Sequence, residues 1–259
     1  MEDTDLAPHD LPLLDTVLGG AAARHETRRL VDGLSYVSVP DPGRSLNLNV
    51  QRRIYQALVP VTTRSFSADM TPYWAQRSRE GYLERLAEFV LVVDGAGAMV
   101  GWTGFHLLPF DEHTIVYLDS TGLVPEWQSR GAMRALMRRC VADSALPRCA
   151  GGLPVYLTAR TESPIFYRLM QGLLPAGQLY PNGAAVLPED IAAVGRHLAD
   201  WLGQLAILDP TTLMLRGAYD ALDELYGELP TTGDPQLDTL FRDQLGPLDA
   251  FLLVGRASP

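Results

Sequence analysis

The stretch Leu123-Val-Pro-Glu-Trp-Gln-Ser-Arg-Gly-Ala-Met-Arg-Ala-Leu-Met-Arg-Arg139 limits what this chain can fold into more than any other. The β-branched and aromatic run Thr114 to Val124 leads into it and predicts a strand. From Gln128 the apolar positions Ala132, Met133, Ala135, Leu136 and Met137 predict a helix. The join holds Pro125 and Gly131 and carries Arg130, Arg134 and Arg138 at i, i+4 spacing. A strand that feeds a helix through a loop of unpaired backbone N–H groups is an anion site, because the first-turn donors and the helix dipole both face the ligand. Gly131 lets a phosphate approach without meeting a Cβ. The ligand suited to such a join is a polyphosphate. A polar helix start with a solvated Arg face is the plainer reading of the same residues.

Upstream, Phe89-Val-Leu-Val-Val-Asp94, Gly95-Ala-Gly-Ala98 and Met99 to Leu108 form a strand–turn–strand signal, with glycine where a tight hairpin needs positive φ. Residues 1–10 are expected to be disordered, and Leu11 to Asp32 helical with an interruption at Gly19-Gly20. Leu34 to Val39 alternates like a short strand, and Pro40 to Ser45 breaks it. Arg52 to Phe66 and Tyr73 to Glu88 predict two helices, with Pro60 kinking or ending the first. Downstream, 128–144 crosses to a strand at 154–160, a right-handed β-α-β step if the strands are parallel. Pro175 to Pro188 is turn-rich and Glu189 to Leu205 helical. Thr211–Gly217 and Asp249–Gly255 are strand-like, a candidate closing pair for the sheet, with helical segments expected near 219–227 and 235–243.

Gln128-Ser-Arg-Gly131-Ala-Met133 resembles the Q/R-x-x-G-x-G/A signature of the GNAT (N-acetyltransferase) superfamily, which cradles the pyrophosphate of coenzyme A. Leu123 and Pro125 fall where that family carries its V-x-P lead-in. Pro154–Arg160 followed by Ser163–Leu173 is similar to the family's fifth strand and fourth helix, with Tyr167 near the helix tyrosine. Met133 replaces the second Gly/Ala, and Gly172 follows Tyr167 by five residues instead of four. The resemblance implies a mixed α/β (α+β) fold: a central twisted sheet of about six or seven strands flanked by helices, with N-terminal and C-terminal elaborations. It implies an N-terminal extension at 1–47 and a GNAT-like acyltransferase domain at 48–259, with helical insertions around 175–210 and 218–248. The activity it implies is N-acyltransfer, most simply acetyl transfer, from acetyl-CoA or another acyl-CoA to a small-molecule amine by direct attack in a ternary complex. A GNAT-like protein that uses a carrier-protein thioester or an aminoacyl-tRNA, or that decarboxylates, is the alternative. A degenerate binding module is a third.

Acyl transfer from a thioester needs two reactants held together, a proton removed from the ammonium and an oxyanion stabilised. By resemblance, Leu123 and Val124 hydrogen-bond the pantetheine arm, while Gln128, Ser129, Arg130, Gly131, Ala132, Met133 and Arg134 hold the phosphates. Counting back from Leu123, Thr121, Asp119, Tyr117 and Ile115 share its face. Asp119 is the one carboxylate among them and the candidate base, unless it caps a turn or bonds a hydroxyl such as Ser120. Tyr117 and Glu162 stand in reserve. Tyr167 is the candidate acid for the departing thiolate, with a core or capping role as the alternative. His106 could face either the acceptor or solvent. Trp102, Phe105, Trp74 and Tyr73 would line an aromatic acceptor pocket if they converge, although such residues are more often core.

The formal charge of −10 disfavours nonspecific binding to nucleic acid or anionic membrane and weakly favours an amine substrate. Two cysteines, Cys140 and Cys149, are too few for a disulfide framework, and no Cys/His set has metal-ligand spacing, so no metal is expected. The N-terminus has no apolar signal region, and no run approaches the roughly 18–20 apolar residues of a membrane span. Cytoplasmic location is the expectation. G-x-x-x-x-G-K-[ST], G-x-G-x-x-G after a first strand, and G-x-S-x-G are all missing, which argues against a P-loop NTPase, a Rossmann enzyme and a serine hydrolase. Oligomeric state is not legible.

Overall fold

The computed structural model describes residues 11–20, 25–149, 154–183, 186–220, 222, 225–226 and 229–257. The disorder expected at 1–10 lies outside the described residues. The chain divides into two compact units, 1–104 with 120–135 and 105–119 with 136–259.

In the first unit, α1 (Leu14–Leu18) is followed by β1 (Thr27–Val31) and β2 (Leu34–Pro40). The helix expected over Leu11–Asp32 is therefore corrected to its first part alone. Asp32-Gly33, with Gly33 at φ +77°, is a two-residue hairpin turn, and it folds Thr27–Val31 back on β2. β2 also pairs antiparallel with β3 (Glu88–Asp94), from Leu34↔Asp94 to Pro40↔Glu88. The segment expected as an extension, 1–47, thus supplies two strands to the sheet.

Four helices follow β2: α2 (Pro42–Ser45), α3 (Leu48–Phe66), α4 (Thr71–Arg79) and α5 (Tyr82–Arg85). Asn47 caps α3, its Oδ1 accepting from the Val50 N–H at 3.0 Å. Val50, Ile54, Leu58 and Val61 form its buried stripe. Of the two outcomes expected at Pro60, a kink or an end, the end does not occur. The turn beyond it is held by Ser65 Oγ donating to the Val61 carbonyl at 2.7 Å and by buried Val61 and Thr62, which offset the one lost backbone bond. The second expected helix is split at Gly81 (φ +67°), and Glu88 belongs to β3.

Trp74, at the centre of this unit's core, donates from Nε1 to Thr62 Oγ1 at 2.6 Å. Its ring lies 5.6 Å from Tyr82 and 6.3 Å from Trp102, edge-on to both. Buried Trp74, Trp102 and Phe105 are therefore packing residues, each at most 1% exposed, and do not line an open acceptor pocket.

The β3–turn–β4 hairpin (β4, Met99–Phe110) is as expected, with Asp94 Oδ1 accepting from the Ala96 and Ala98 N–H groups at 2.9 Å. A second hairpin leads to β5 (His113–Leu123), so the order in this unit is β1-β2-β3-β4-β5. Gly122 in β5 is obligatory, because a Cβ there would lie 2.2 Å from the Trp102 ring.

In the second unit the sheet continues from β4 and β5 through β6 (Val155–Thr161), β10 (Ala250–Ala257), β9 (Met214–Leu215) and β8 (Leu208–Asp209), in that order. A helical run leads into β6 (Val155–Thr161): α6 (Ala132–Arg138), a π-helical section at Arg139–Ala145 and α7 (Leu146–Arg148). β6 is parallel to β5, from Thr114↔Val155 to Leu118↔Ala159, so the predicted crossover is present. Then come α8 (Pro164–Gln171), β7 (Leu179–Tyr180), α9 (Glu189–Trp201), β8 (Leu208–Asp209), β9 (Met214–Leu215), α10 (Pro235–Gln244) and β10 (Ala250–Ala257).

β10 runs antiparallel to β6 from Phe251↔Thr161 to Ala257↔Val155, and it also pairs with β9 and β7. The anticipated pairing of the two late strands is thus observed. The helix expected near 219–227 is not found among the described residues there, where Gly217 to Asp220 is a turn. The mixed, mostly antiparallel sheet with flanking helices stands, but the described residues form ten strands, not six or seven. β7, β8 and β9 have two residues each, too few for an alternating pattern to appear in the sequence.

Candidate active site

The donor loop belongs to the first unit. β5 ends at Leu123, and the Val124 N–H donates to the Val100 carbonyl at 2.9 Å. A 3-10 turn, Pro125–Trp127, follows, and the Gln128 N–H is committed to the Pro125 carbonyl at 3.1 Å. The Gln128 side chain turns back, Nε2 donating to the Leu123 carbonyl at 2.7 Å. Both backbone groups expected to meet a ligand arm at Leu123 and Val124 therefore already have protein partners, although a carbonyl can accept twice.

Ser129 (φ +60°) and Gly131 (φ +75°) both lie in the left-handed region, and this double turn delays the helix to Ala132 instead of Gln128. A Cβ on Gly131 would meet nothing within 4 Å, so the backbone faces open space. The first bond of α6 runs from the Ala135 N–H to the Gly131 carbonyl at 3.0 Å. That leaves the amides of Ala132, Met133 and Arg134 as first-turn donors without an intrahelical acceptor. Gln128, Ser129, Arg130, Gly131 and Arg134 are exposed, Met133 is half-buried and Ala132 is buried. The Arg130 guanidinium sits 4.9 Å over the Trp127 ring.

The second unit holds the other candidates. Asp119 Oδ2 lies 3.0 Å from His106 Nε2, with both residues buried. The His106 ring stacks on Tyr117 at 5.9 Å, and the Trp201 edge approaches it at 4.9 Å. His106 thus belongs with Asp119 and Tyr117. A two-residue turn at Asp111-Glu112 sets His106 opposite Tyr117, with Asp119 one pleat further along the same face, so the hairpin carried the signal for this pairing.

The shared face does not continue to Thr121, and here the expectation is corrected. Thr121 Oγ1 meets Thr103 Oγ1 at 2.8 Å, and Thr103 is three residues from His106 and so on the opposite face of β4. Ser120, at φ +50° within β5, supplies the irregularity that turns the strand over.

Tyr167, buried on α8, donates its hydroxyl to the Pro181 carbonyl at 2.8 Å and packs edge-on to Phe241 at 5.7 Å. Burial raises its pKa. Glu162, between β6 and α8, is 8% exposed, and burial, followed by the nearby charge of Asp249, pushes its carboxyl up to about 7. A cavity of about 310 Å³ in this unit is lined by Pro154, Tyr156, Gln178 and Arg256 among others, and contains none of these candidates. Among the described residues no group of His, Cys, Asp or Glu could hold a metal, and no helix is long and apolar enough to cross a membrane.

A mostly antiparallel sheet with one parallel crossover, whose strand opens a helix through a left-handed loop, defines a mixed α/β protein. Residues 52–169 match the model of the acetyltransferase (GNAT) family. A search of curated proteins found no match.

Among solved structures, the chain is similar to a GNAT family N-acetyltransferase from Escherichia coli in complex with CoA. The two share 14% identity and a TM-score of 0.34, over 44% of this chain and 61% of that one, so less than two thirds of that protein is spanned. It is also similar to an aminoglycoside acetyltransferase from an uncultured soil metagenomic sample, at 20% identity over 49% and 78% of the two chains and a TM-score of 0.36. A third is spermidine N-acetyltransferase from Vibrio cholerae in complex with CoA and spermine, at 15% identity over 60% and 86% and a TM-score of 0.36.

Proposed function

We propose that this chain transfers an acyl group, most simply acetyl, from an acyl-CoA to the amine of a small molecule by direct attack in a ternary complex. The observation that carries the reading is the loop at Ser129–Arg134. Two left-handed residues turn it, Gly131 leaves its approach open, and the Ala132, Met133 and Arg134 amides begin a helix. Such donors, with the positive end of a helix dipole, suit a diphosphate. Arg130 and Arg134 add charge at the same place.

The acceptor enters as an ammonium ion and must lose a proton before its nitrogen can attack. Asp119 is the proposed proton acceptor, with His106 fixed on one of its oxygens and Tyr117 stacked on the His106 ring. The formal charge of −10 favours a cationic amine in the vicinity of the protein.

Incubation with acetyl-CoA and a panel of small amines, followed by colorimetric detection of free thiol, tests the reading, with calorimetry of coenzyme A alone as its companion. Saturable, amine-dependent thiol release is expected. Coenzyme A binding without turnover on any amine would make the chain a binding module. Turnover that appears only with a loaded carrier protein or an aminoacyl-tRNA would move the donor to that class.

A further inference from the structure

The hairpin of β1 and β2, in the segment that the resemblance sets outside the acyltransferase domain, touches the donor loop. Gly33 stands in its turn at φ +77°, and a Cβ there would lie 2.9 Å from Trp127 Cη2 and 3.3 Å from Cζ3. The far edge of the indole therefore packs on glycine backbone, in space that a side chain would fill. Trp127 closes the 3-10 turn Pro125–Trp127, directly before the loop that turns at Ser129 and Gly131. The Arg130 guanidinium lies over the same indole, 4.9 Å from the ring centroid. Hairpin turn, indole and Arg130 make one run of contacts, all of it inside the first unit.

A second tie holds the same turn. Glu126, the neighbour of Trp127, accepts from Arg64 Nε on α3 at 3.0 Å, and the Arg64 side chain is only 15% exposed. The Gln128 side chain is bonded back to the Leu123 carbonyl. The turn is thus anchored to a hairpin, to a helix and to the end of its own strand, while Ser129, Arg130 and Gly131 beyond it are exposed. Among the described residues Arg130 has no ion-pair partner, so its charge is available to an anion. An exposed arginine samples many rotamers, and ordering it on a ligand costs conformational entropy. A guanidinium already resting on an anchored indole is ordered before the ligand arrives.

We propose that Trp127 is a positioning residue for the acyl donor: seated on Gly33, its ring holds the Arg130 guanidinium ready for a phosphate of coenzyme A. The assignment rests on the acyl-transfer reading above. It gives the β1–β2 hairpin a place in donor binding, because the turn residue Gly33 fixes where the indole sits. Trp127 acts through Arg130, so removing the ring matters only while the guanidinium is there. An indole that merely filled space would behave differently: its loss would loosen the loop whatever side chain stood at 130.

The test is a double-mutant cycle on coenzyme A affinity, read by calorimetry for the intact chain, Trp127→Leu, Arg130→Gln and the two together. Arg130→Gln should weaken binding at least about tenfold, as the loss of a charge-assisted contact does. Trp127→Leu should weaken it about three- to tenfold in the intact chain and leave it unchanged in the Arg130→Gln background. Trp127→Phe, which keeps an aromatic face, should recover most of the loss. Gly33→Ala, whose methyl group displaces the ring, should act like Trp127→Leu and takes its place in the cycle if that variant does not fold. Equal losses from Trp127→Leu with and without Arg130, or no loss at all, overturn the positioning role and leave the acyl-transfer reading intact. A wild-type protein that binds no coenzyme A overturns both.

Discussion

In the proposed acyl transfer, Gly131 is the residue on which donor binding turns. Its φ of +75° lies where a side chain costs about 1–2 kcal/mol, and the space beside it is where phosphate oxygens would sit. Gly131→Glu adds backbone strain, bulk and a like charge together. Coenzyme A affinity should fall at least about a hundredfold, some 2.8 kcal/mol, and calorimetry with coenzyme A reads the loss directly. Asp119 gives a contrasting prediction, because its expected role is in the chemical step. Asp119→Asn should lower kcat by about 10²- to 10⁴-fold across pH 6–9 while leaving donor affinity within a factor of two or so, as steady-state kinetics beside calorimetry would register. These residues were unequally legible in the sequence. Gly131 announced itself through the strand-to-helix join. Thr121 did not, because Ser120 adopts a left-handed conformation that strand-forming composition does not betray, and counting by twos past it puts Thr121 on the face of Asp119.

At the scale of elements, the contact between α3 and α4 includes a buried hydrogen bond. Trp74 is 1% exposed, and its indole N–H has the Thr62 hydroxyl as acceptor. Thr62→Val keeps the shape but leaves that donor unpaired, so stability should fall by about 1–3 kcal/mol, visible as a lower urea midpoint with an unchanged slope. Long elements with a clear period were readable: the glycine-turned hairpin of β3 and β4, α3 after its Asn47 cap, and the crossover from β5 to β6. Misread elements failed for local reasons. β1 has one buried residue and one half-buried residue in its five, so no alternation marked it, while Asp32-Gly33 was the available sign. Pro60 left a kink and a helix end both open because sequence alone cannot weigh the buried contacts of Val61 and Thr62 against one missing backbone bond.

For the whole molecule, titration gives opposite trends on the two sides of about pH 5. Asp190, through its Arg256 partner, and Asp209, through Thr211, have pKa values held below the ordinary aspartate range. Their stabilisation is present above about pH 4 and is lost as pH falls through their lowered values. Glu162 works the other way. Its folded carboxyl binds a proton more tightly than the unfolded one, so stability falls as pH rises from the unfolded value of about 4.3 through about 7. Thermal melting from pH 3 to 9 should give a maximum on the acid side of neutrality. Glu162→Gln should flatten the alkaline decline, so that it melts above wild type at pH 8 but not at pH 4; parallel curves for the two proteins would contradict the burial of an uncompensated carboxyl.

The partner of β6 on its open side comes from far along the chain, since β10 closes against it only at Phe251–Ala257. During synthesis, everything between Thr161 and Ala250 leaves the ribosome before that edge is covered. Until then the nascent polypeptide carries a Val-Tyr-Leu-Thr-Ala row whose hydrogen-bonding groups can recruit a neighbouring chain as readily as their own last strand. Slow elongation through the codons for Ala250–Ala257, or a stop placed just before Ala250, should therefore send the product to inclusion bodies.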